Sequence, residues 1–529
     1  ELILLSVAGI LFIIQLIYYF GLYNRIHVHN KAVGKEEVHF IRELPPLSVI
    51  LCARNEAENL RKILPAILEQ DYPQFEVIVI NDASTDDTED ILGVMEEKYP
   101  HLYHSFTPES ARYISHKKLA LTLGIKAQNQ VTLRDVSRGT YRASNIYGIK
   151  PMLDGQYYTQ ISPDRKRIVK YSFKTGKQVE AIFDVEKARD CTLKYFDDYI
   201  MSPDEKLILI QTKTRSIYRR SFTAEYYIYN VKNNTIEPLS KNGPQQVPLF
   251  SPDGFQVAFV RNNNIFLVKL LFGNSESQIT KDGEYNKVLN GIPDWVYEEE
   301  FGFNRAFDFS ADSKMIAYIR FDESQVPMYK FPLYKGMNPE YTEFATYPGE
   351  YTYKYPKSGE VNSTVSVHTY DIKSHVTRKM DLPLDKDGYI PRIKFTSDPE
   401  KLAIMTLNRH QNRFDLYMAN PKSALCKVAI RDESEQYIKE DEYSNIKFYP
   451  ENIVLMSERD GYNHLYLYTI GGNLVKQITK GKFEVKSFLG WDKQSNVFYY
   501  TSNEGSPLRT AVYKIDGKGK KTKLSTRTG

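Results

Sequence analysis

One short turn recurs along most of this chain and constrains its fold more than any other feature. It reads Ser-Pro-Asp-Arg-Lys at Ser162, Ser-Pro-Asp-Glu-Lys at Ser202, Ser-Pro-Asp-Gly-Phe at Ser251, Ser-Ala-Asp-Ser-Lys at Ser310 and Thr-Ser-Asp-Pro-Glu-Lys at Thr396. Weaker versions begin at Tyr449 and Trp491. Any one copy is an ordinary type I turn. Repetition at about 40 to 60 residues is the period of a four-stranded propeller blade. Between the turns lie short runs such as Tyr-Tyr-Ile-Tyr-Asn-Val at Tyr226, and the 40 tyrosines of the chain suit pleated, half-buried surfaces. The pattern predicts an all-β propeller of seven or eight blades over 151–525. The longer gap from Ser310 to Thr396 holds either an extra blade or an insertion.

The first part of the chain has another pattern. Over 47–127, continuous apolar strands alternate with helically spaced segments, which implies a parallel sheet. Pro65 is expected to kink the first helix, and Ser84, Thr85, Asp86 and Asp87 supply capping groups for the second. Residues 2–20 carry no charge and are long enough to cross a bilayer, with Arg25 and Lys31 behind them. The expected organisation is therefore multidomain. An N-terminal transmembrane helix (1–24) and a linker (25–45) precede a partial α/β, Rossmann-like unit (46–128), a junction (129–150) and the propeller. The basic residues behind the apolar run place the remainder of the chain on the cytoplasmic side. A net charge of +4 without a basic, aromatic-interleaved stripe argues against nucleic acid as a partner. Cys52, Cys191 and Cys426 form no metal-binding or disulfide pattern.

The strand at 47–53 with the adjoining Arg-Asn-Glu-Ala-Glu-Asn-Leu, and the strand at 75–81 with Asp-Ala-Ser-Thr-Asp-Asp-Thr, resemble the start of a family 2 glycosyltransferase of GT-A fold. The resemblance covers about residues 40–128. It implies that Asn55 and Glu56 line a nucleotide-sugar pocket, that Asp82 holds the base or ribose, and that Lys117 or Lys118 lies near the diphosphate. A complete enzyme of this type needs a divalent Mg or Mn ion held by an Asp-x-Asp pair. The stretch 126–145, where that pair would stand, has only the lone Asp135, so the segment reads as a nucleotide-binding half without a metal site.

Glu298, Glu299 and Glu300 stand in a row between Trp-Val-Tyr and two phenylalanines. By composition alone such a run is a solvated acidic loop. Its surroundings change that reading. Asp-Trp-Val-Tyr-Glu-Glu-Glu-Phe-Gly-Phe at Asp294, Tyr-Arg-Arg-Ser-Phe-Thr-Ala-Glu at Tyr218, Ile-Arg-Phe-Asp-Glu-Ser-Gln-Val-Pro at Ile319 and Ser-Asn-Glu-Gly-Ser-Pro-Leu-Arg at Ser502 resemble the propeller of the dipeptidyl peptidase IV branch of the prolyl oligopeptidase family. The resemblance implies that Glu299 and Glu300 grip the free amino end of a peptide and that Arg219 helps hold its carbonyl oxygen. Arg220 next to it leaves the register open by one. A peptide amino terminus, with a pKa of about 8, is a cation at neutral pH with three donors for two carboxylates. Cleavage would then fall two residues inward, releasing Xaa-Pro dipeptides. The sequence holds no Gly-x-Ser-x-Gly elbow, so no catalytic residue is assigned and no cofactor is expected for the propeller.

The chain thus reads as a fusion of two gene fragments, a truncated transferase and the substrate-binding propeller of a serine peptidase. The alternatives are a membrane-anchored glycosyltransferase and a non-catalytic peptide-binding module. The peptidase resemblance implies a periplasmic setting, against the cytoplasmic one suggested by the flanking charges.

Overall fold

The computed structural model describes residues 47–81, 84–106, 137, 147–334 and 347–525. The chain divides into two compact units, Glu1–Ile146 and Tyr147–Gly529. The transmembrane helix expected over 1–24 falls outside the described residues, as does Asp82. Among the described residues no helix is long and apolar enough to cross a membrane. The expected fold class is corrected accordingly: an α/β unit and a propeller are supported, a membrane-spanning helix is not.

In the first unit, β1 (Leu47–Ala53), β2 (Phe75–Asn81) and β3 (Leu102–Phe106) form a parallel sheet in that order. The connecting helices are α1 (Ala57–Leu68) and α2 (Thr88–Lys98). The i, i+4, i+8 stripe of Leu60, Leu64 and Leu68 on α1 packs on Val77, Val79, Leu92 and Leu102, as a 3.6-residue period requires. Pro65 lies inside α1, which runs on past it for another turn. One of the four expected capping residues, Asp86, does the capping. Asp87, the N-cap of α2, makes no side-chain capping bond. Instead one Asp86 oxygen accepts the Thr88 N–H (3.1 Å), and the other accepts the Ala57 N–H of α1 (3.1 Å). A single exposed carboxylate thus caps both helices, and these bonds, led by that with the Thr88 side chain, hold its pKa below the usual carboxylate value.

The second unit contains seven antiparallel blades among the described residues, spanning 150–184, 198–238, 246–278, 288–379, 389–433, 447–477 and 485–523. The recurring turn joins two strands of a blade, and its chemistry explains its repetition. In the first four copies the serine hydroxyl donates to the aspartate two residues on, at 2.5 Å (Ser162), 2.8 Å (Ser202), 2.6 Å (Ser251) and 2.7 Å (Ser310). The same hydroxyl accepts the N–H five residues on, at 2.9 to 3.0 Å. The residue after the aspartate has positive φ, Arg165 at 55°, Glu205 at 58°, Gly254 at 76° and Ser313 at 60°. The copy at Thr396 keeps the turn with other bonds: Thr396 Oγ1 accepts the Asp398 N–H.

The long gap before Thr396 is an insertion. Strand Met315–Asp322 pairs directly with Thr364–Asp371, and between them a separate hairpin rises, Met328–Leu333 against Gly349–Lys354. The blades pack through continuous apolar faces; the largest cluster joins the fourth, fifth and sixth blades around Phe321, Ile390, Phe414 and Tyr466.

Candidate functional site: an acidic helical turn on the fourth blade

The acidic run folds as a short helix, α3 (Trp295–Glu300), within the fourth blade. Asp294 starts it by accepting the Tyr297 N–H (2.9 Å), and Ser363 donates its hydroxyl to the other Asp294 oxygen. Tyr297 and Phe301, four residues apart, point into the core. Tyr297 is fully buried, packs against Phe321 and Tyr389, and accepts the Ile390 N–H at its hydroxyl (3.2 Å). Gly302 ends the helix at φ +69°, a left-handed conformation natural for the residue after a helix. A Cβ there would lie 2.9 Å from Glu440 Oε1 and 3.3 Å from Arg220 Nη2.

Helical geometry separates the three adjacent glutamates. Glu298 is 1% exposed, Glu299 is half-buried and Glu300 is exposed. The solvated loop expected from composition is therefore wrong for Glu298. Its Oε1 accepts two backbone N–H groups from a hairpin nearly 80 residues earlier in the chain, Arg220 (2.6 Å) and Ser221 (2.8 Å). Asn304 secures the same hairpin by donating to the Arg220 carbonyl (2.9 Å). Thus Glu298 fixes the segment that carries Arg219.

Arg219 meets Glu299, Nη2 to Oε1 at 2.8 Å. Arg219 thus faces the acidic edge, whereas the Arg220 guanidinium lies near Gly302. Arg392 approaches that second cluster, donating to the Phe301 carbonyl (2.6 Å) and Ser444 (3.0 Å). Burial, with Arg220 contributing, lowers the Arg392 pKa from the usual arginine value. The structure thus brings Arg219 and Glu299 together, with Glu300 next along the same helical turn and exposed. Sequence reasoning missed the foundation: Asp294, Tyr297, Glu298 and Asn304. The four-residue spacing from Asp294 to Glu298 was the available signal, since it places both on one helix face.

The sites expected in the first unit are partly outside the described residues; Asp82, Lys117 and Lys118 fall there. Asn55 and Glu56 are described, and both are engaged locally. Asn55, at φ 56°, accepts the Thr85 N–H (2.7 Å) and donates its own N–H to Ser84. Glu56 accepts from the Asn59 amide (2.5 Å). Among the described residues no group of three or more His, Cys, Asp or Glu side chains is placed to hold a metal ion.

Comparison with known proteins divides the chain in the same way. Residues 48–115 match the family "Glycosyl transferase family 2". Residues 202–529 match "Dipeptidyl peptidase IV (DPP IV) N-terminal region". The crystal structure of Porphyromonas gingivalis dipeptidyl peptidase 4 superposes with a TM-score of 0.71 at 44% identity, covering 75% of this chain and 56% of that one. Dipeptidyl peptidase 4 of Trichophyton equinum is 29% identical over 388 residues, 71% of this chain and 48% of the fungal protein. That of Trichophyton rubrum is 29% identical over 389 residues, with the same coverage. The chain spans about half the length of the curated relatives it matches. With more than half of its residues in the matched region, this chain belongs to the dipeptidyl peptidase IV family through its propeller.

Proposed function

We propose that this propeller is the part of a dipeptidyl peptidase IV-type serine peptidase that grips the free amino terminus of a peptide, so that Xaa-Pro dipeptides are released. The carrying observation is the Arg219–Glu299 pair at 2.8 Å, beside the exposed Glu300. An ammonium between two carboxylates satisfies its three donors with charge-assisted bonds. Arg219 offsets part of the Glu299 charge, and its guanidinium, with five N–H donors, can also reach a peptide carbonyl oxygen. The pair is too exposed to contribute much stability, about 1 kcal/mol at most, so its value lies in recognition. Calorimetry with Gly-Pro and N-acetyl-Gly-Pro tests this. The unblocked dipeptide should bind at least tenfold more tightly; equal affinities would rule the reading out.

A second reading concerns the first unit alone. Its family match and its parallel sheet, with Asn55 at the carboxyl end of β1, favour a nucleotide-diphospho-sugar as ligand. Because Asn55 and Glu56 already hold local bonds, a nucleotide has to displace them. Titration with UDP-glucose, read by calorimetry, tests this reading, and absence of saturable heat would end it.

A further inference from the structure

Against the hairpin that carries Arg219, a cavity of about 760 Å³ opens among the second, third and fourth blades. Neither Glu299, Glu300 nor Arg219 lines it. Four acids do: Glu284, and the buried Asp294, Glu298 and Glu323, at 4%, 1% and 6% exposure. They are not equally occupied. Asp294 holds the start of α3 and the Ser363 hydroxyl. Glu298 uses only Oε1; among the described residues its Oε2 has no hydrogen-bond partner. Burial, and Asp294 after it, push the Glu323 carboxyl up to about 7, which measures the cost of charging it there.

Among the described residues, Arg261 is the one basic residue lining this cavity, and its charge is already taken. Its guanidinium pairs with Glu276 and donates to Ser240 (3.0 Å) while lying over the Phe266 ring at 4.2 Å. Lys354 acts on Glu323 through space, but its ammonium donates to the carbonyls of Val326 (2.7 Å) and Ser324 (3.2 Å). Glu284, at the rim, pairs with Lys287 at 2.6 Å. Tyr218, Tyr285 and Trp295 supply aromatic wall, which favours cations over neutral polar molecules.

We infer that this cavity is a second cation-binding site, taking an alkylammonium or alkylguanidinium group with its apolar stem against Trp295 and Tyr218 and its charge towards Glu298 and Glu323. A volume of this size admits a chain of several carbons. The chemistry has two sources, a free aliphatic amine or the side chain of a peptide lysine or arginine. The site shares Glu298 with the support of the amino-terminal grip but takes in neither Glu299, Glu300 nor Arg219, so failure of one leaves the other standing.

The experiment uses the full chain carrying Glu299→Gln, which disables the first site. Calorimetry at pH 8, where Glu323 is ionised, compares 1,5-diaminopentane, butylguanidinium and 1-butanol. A blocked peptide, N-acetyl-Gly-Pro-Lys-amide, identifies the source. Saturable binding of the peptide assigns the site to side chains, and binding of the diamine without the peptide assigns it to free amines. 1-Butanol should bind at least tenfold more weakly than butylguanidinium. Two further substitutions are made in that background, each checked for folding by circular dichroism. Glu323→Gln removes a charge, and Thr223→Trp fills the cavity from the second blade. Each folded variant should lose at least tenfold in affinity. Absence of saturable binding by every cation, equal binding of 1-butanol, or unchanged affinity in either folded variant overturns the inference.

Discussion

At the residue scale, the three glutamates differ in burial and partners, and each substitution should read differently. Glu299→Gln keeps the shape and removes the charge. It should weaken binding of an unblocked dipeptide by about 1.4 kcal/mol or more, the tenfold preference expected for a free amino terminus, and leave the weak binding of the acetylated one unchanged. Calorimetry of both peptides checks this. Glu298→Ala strands the N–H groups of Arg220 and Ser221, at about 1–3 kcal/mol for the loss of a buried acceptor. Its melting temperature should fall, and peptide affinity should fall with it because Arg219 loses its support. Glu298→Gln, whose amide oxygen still accepts, should recover most of both. Full peptide affinity in a folded Glu298→Ala protein would remove Glu298 from the positioning role. The acids also set a pH dependence. Burial pushes Glu323 up to about 7 and Glu442 up to about 8, the latter with Asp432 beside it. A carboxyl held above its unfolded value of 4.5 binds its proton more tightly when folded. Its favourable contribution is therefore complete below that value and fades as pH rises through the folded one. Glu323→Gln should flatten the fall in stability between pH 5 and 8 by roughly 2–3 kcal/mol, read by urea denaturation at each pH. An unchanged slope would show that Glu323 titrates normally.

At the scale of elements, the turn and the short helix are both closed by local chemistry that the sequence displays. Serine and aspartate two apart, with a left-handed residue after them, form a self-contained network in four blades. Each Ser→Ala change there should cost about 1 kcal/mol, since the aspartate keeps its backbone bond. The end of α3 is more demanding. Gly302→Ala adds a Cβ at φ +69°, where it meets side-chain tips of Glu440 and Arg220. Those tips can move, so the backbone conformation sets the cost, about 1 kcal/mol or slightly more. A chemical denaturation midpoint unchanged in Gly302→Ala would contradict this. The capping of α1 and α2 was less legible. Asp86 was recognisable as a capping residue, but that it serves α1 as well depends on where the parallel sheet sets two helix starts.

At the scale of the whole molecule, α3 stands on the packed core of Tyr297, Phe301 and Phe321, so a ligand at its acidic edge would bind without rearranging that core. A peptide bound only to the folded propeller should raise its melting temperature, by about 2.7 kcal/mol of stabilisation at a concentration a hundredfold above Kd. N-acetylation should abolish the shift in differential scanning calorimetry. What the sequence determined by itself was local and periodic. The blades and the parallel α/β segment could be read from spacing and turn chemistry, because turns and strand alternation depend on neighbours along the chain, and the family from the resemblance of its motifs. Tertiary structure alone decided three things: that the long gap is a hairpin rather than a blade, that Arg219 and not Arg220 meets Glu299, and that Glu298 is buried while its two neighbours are not. Each turns on a contact between segments from tens of residues to more than 70 apart, and the free energy of such a contact depends on a surface that exists only after the blades have closed on one another.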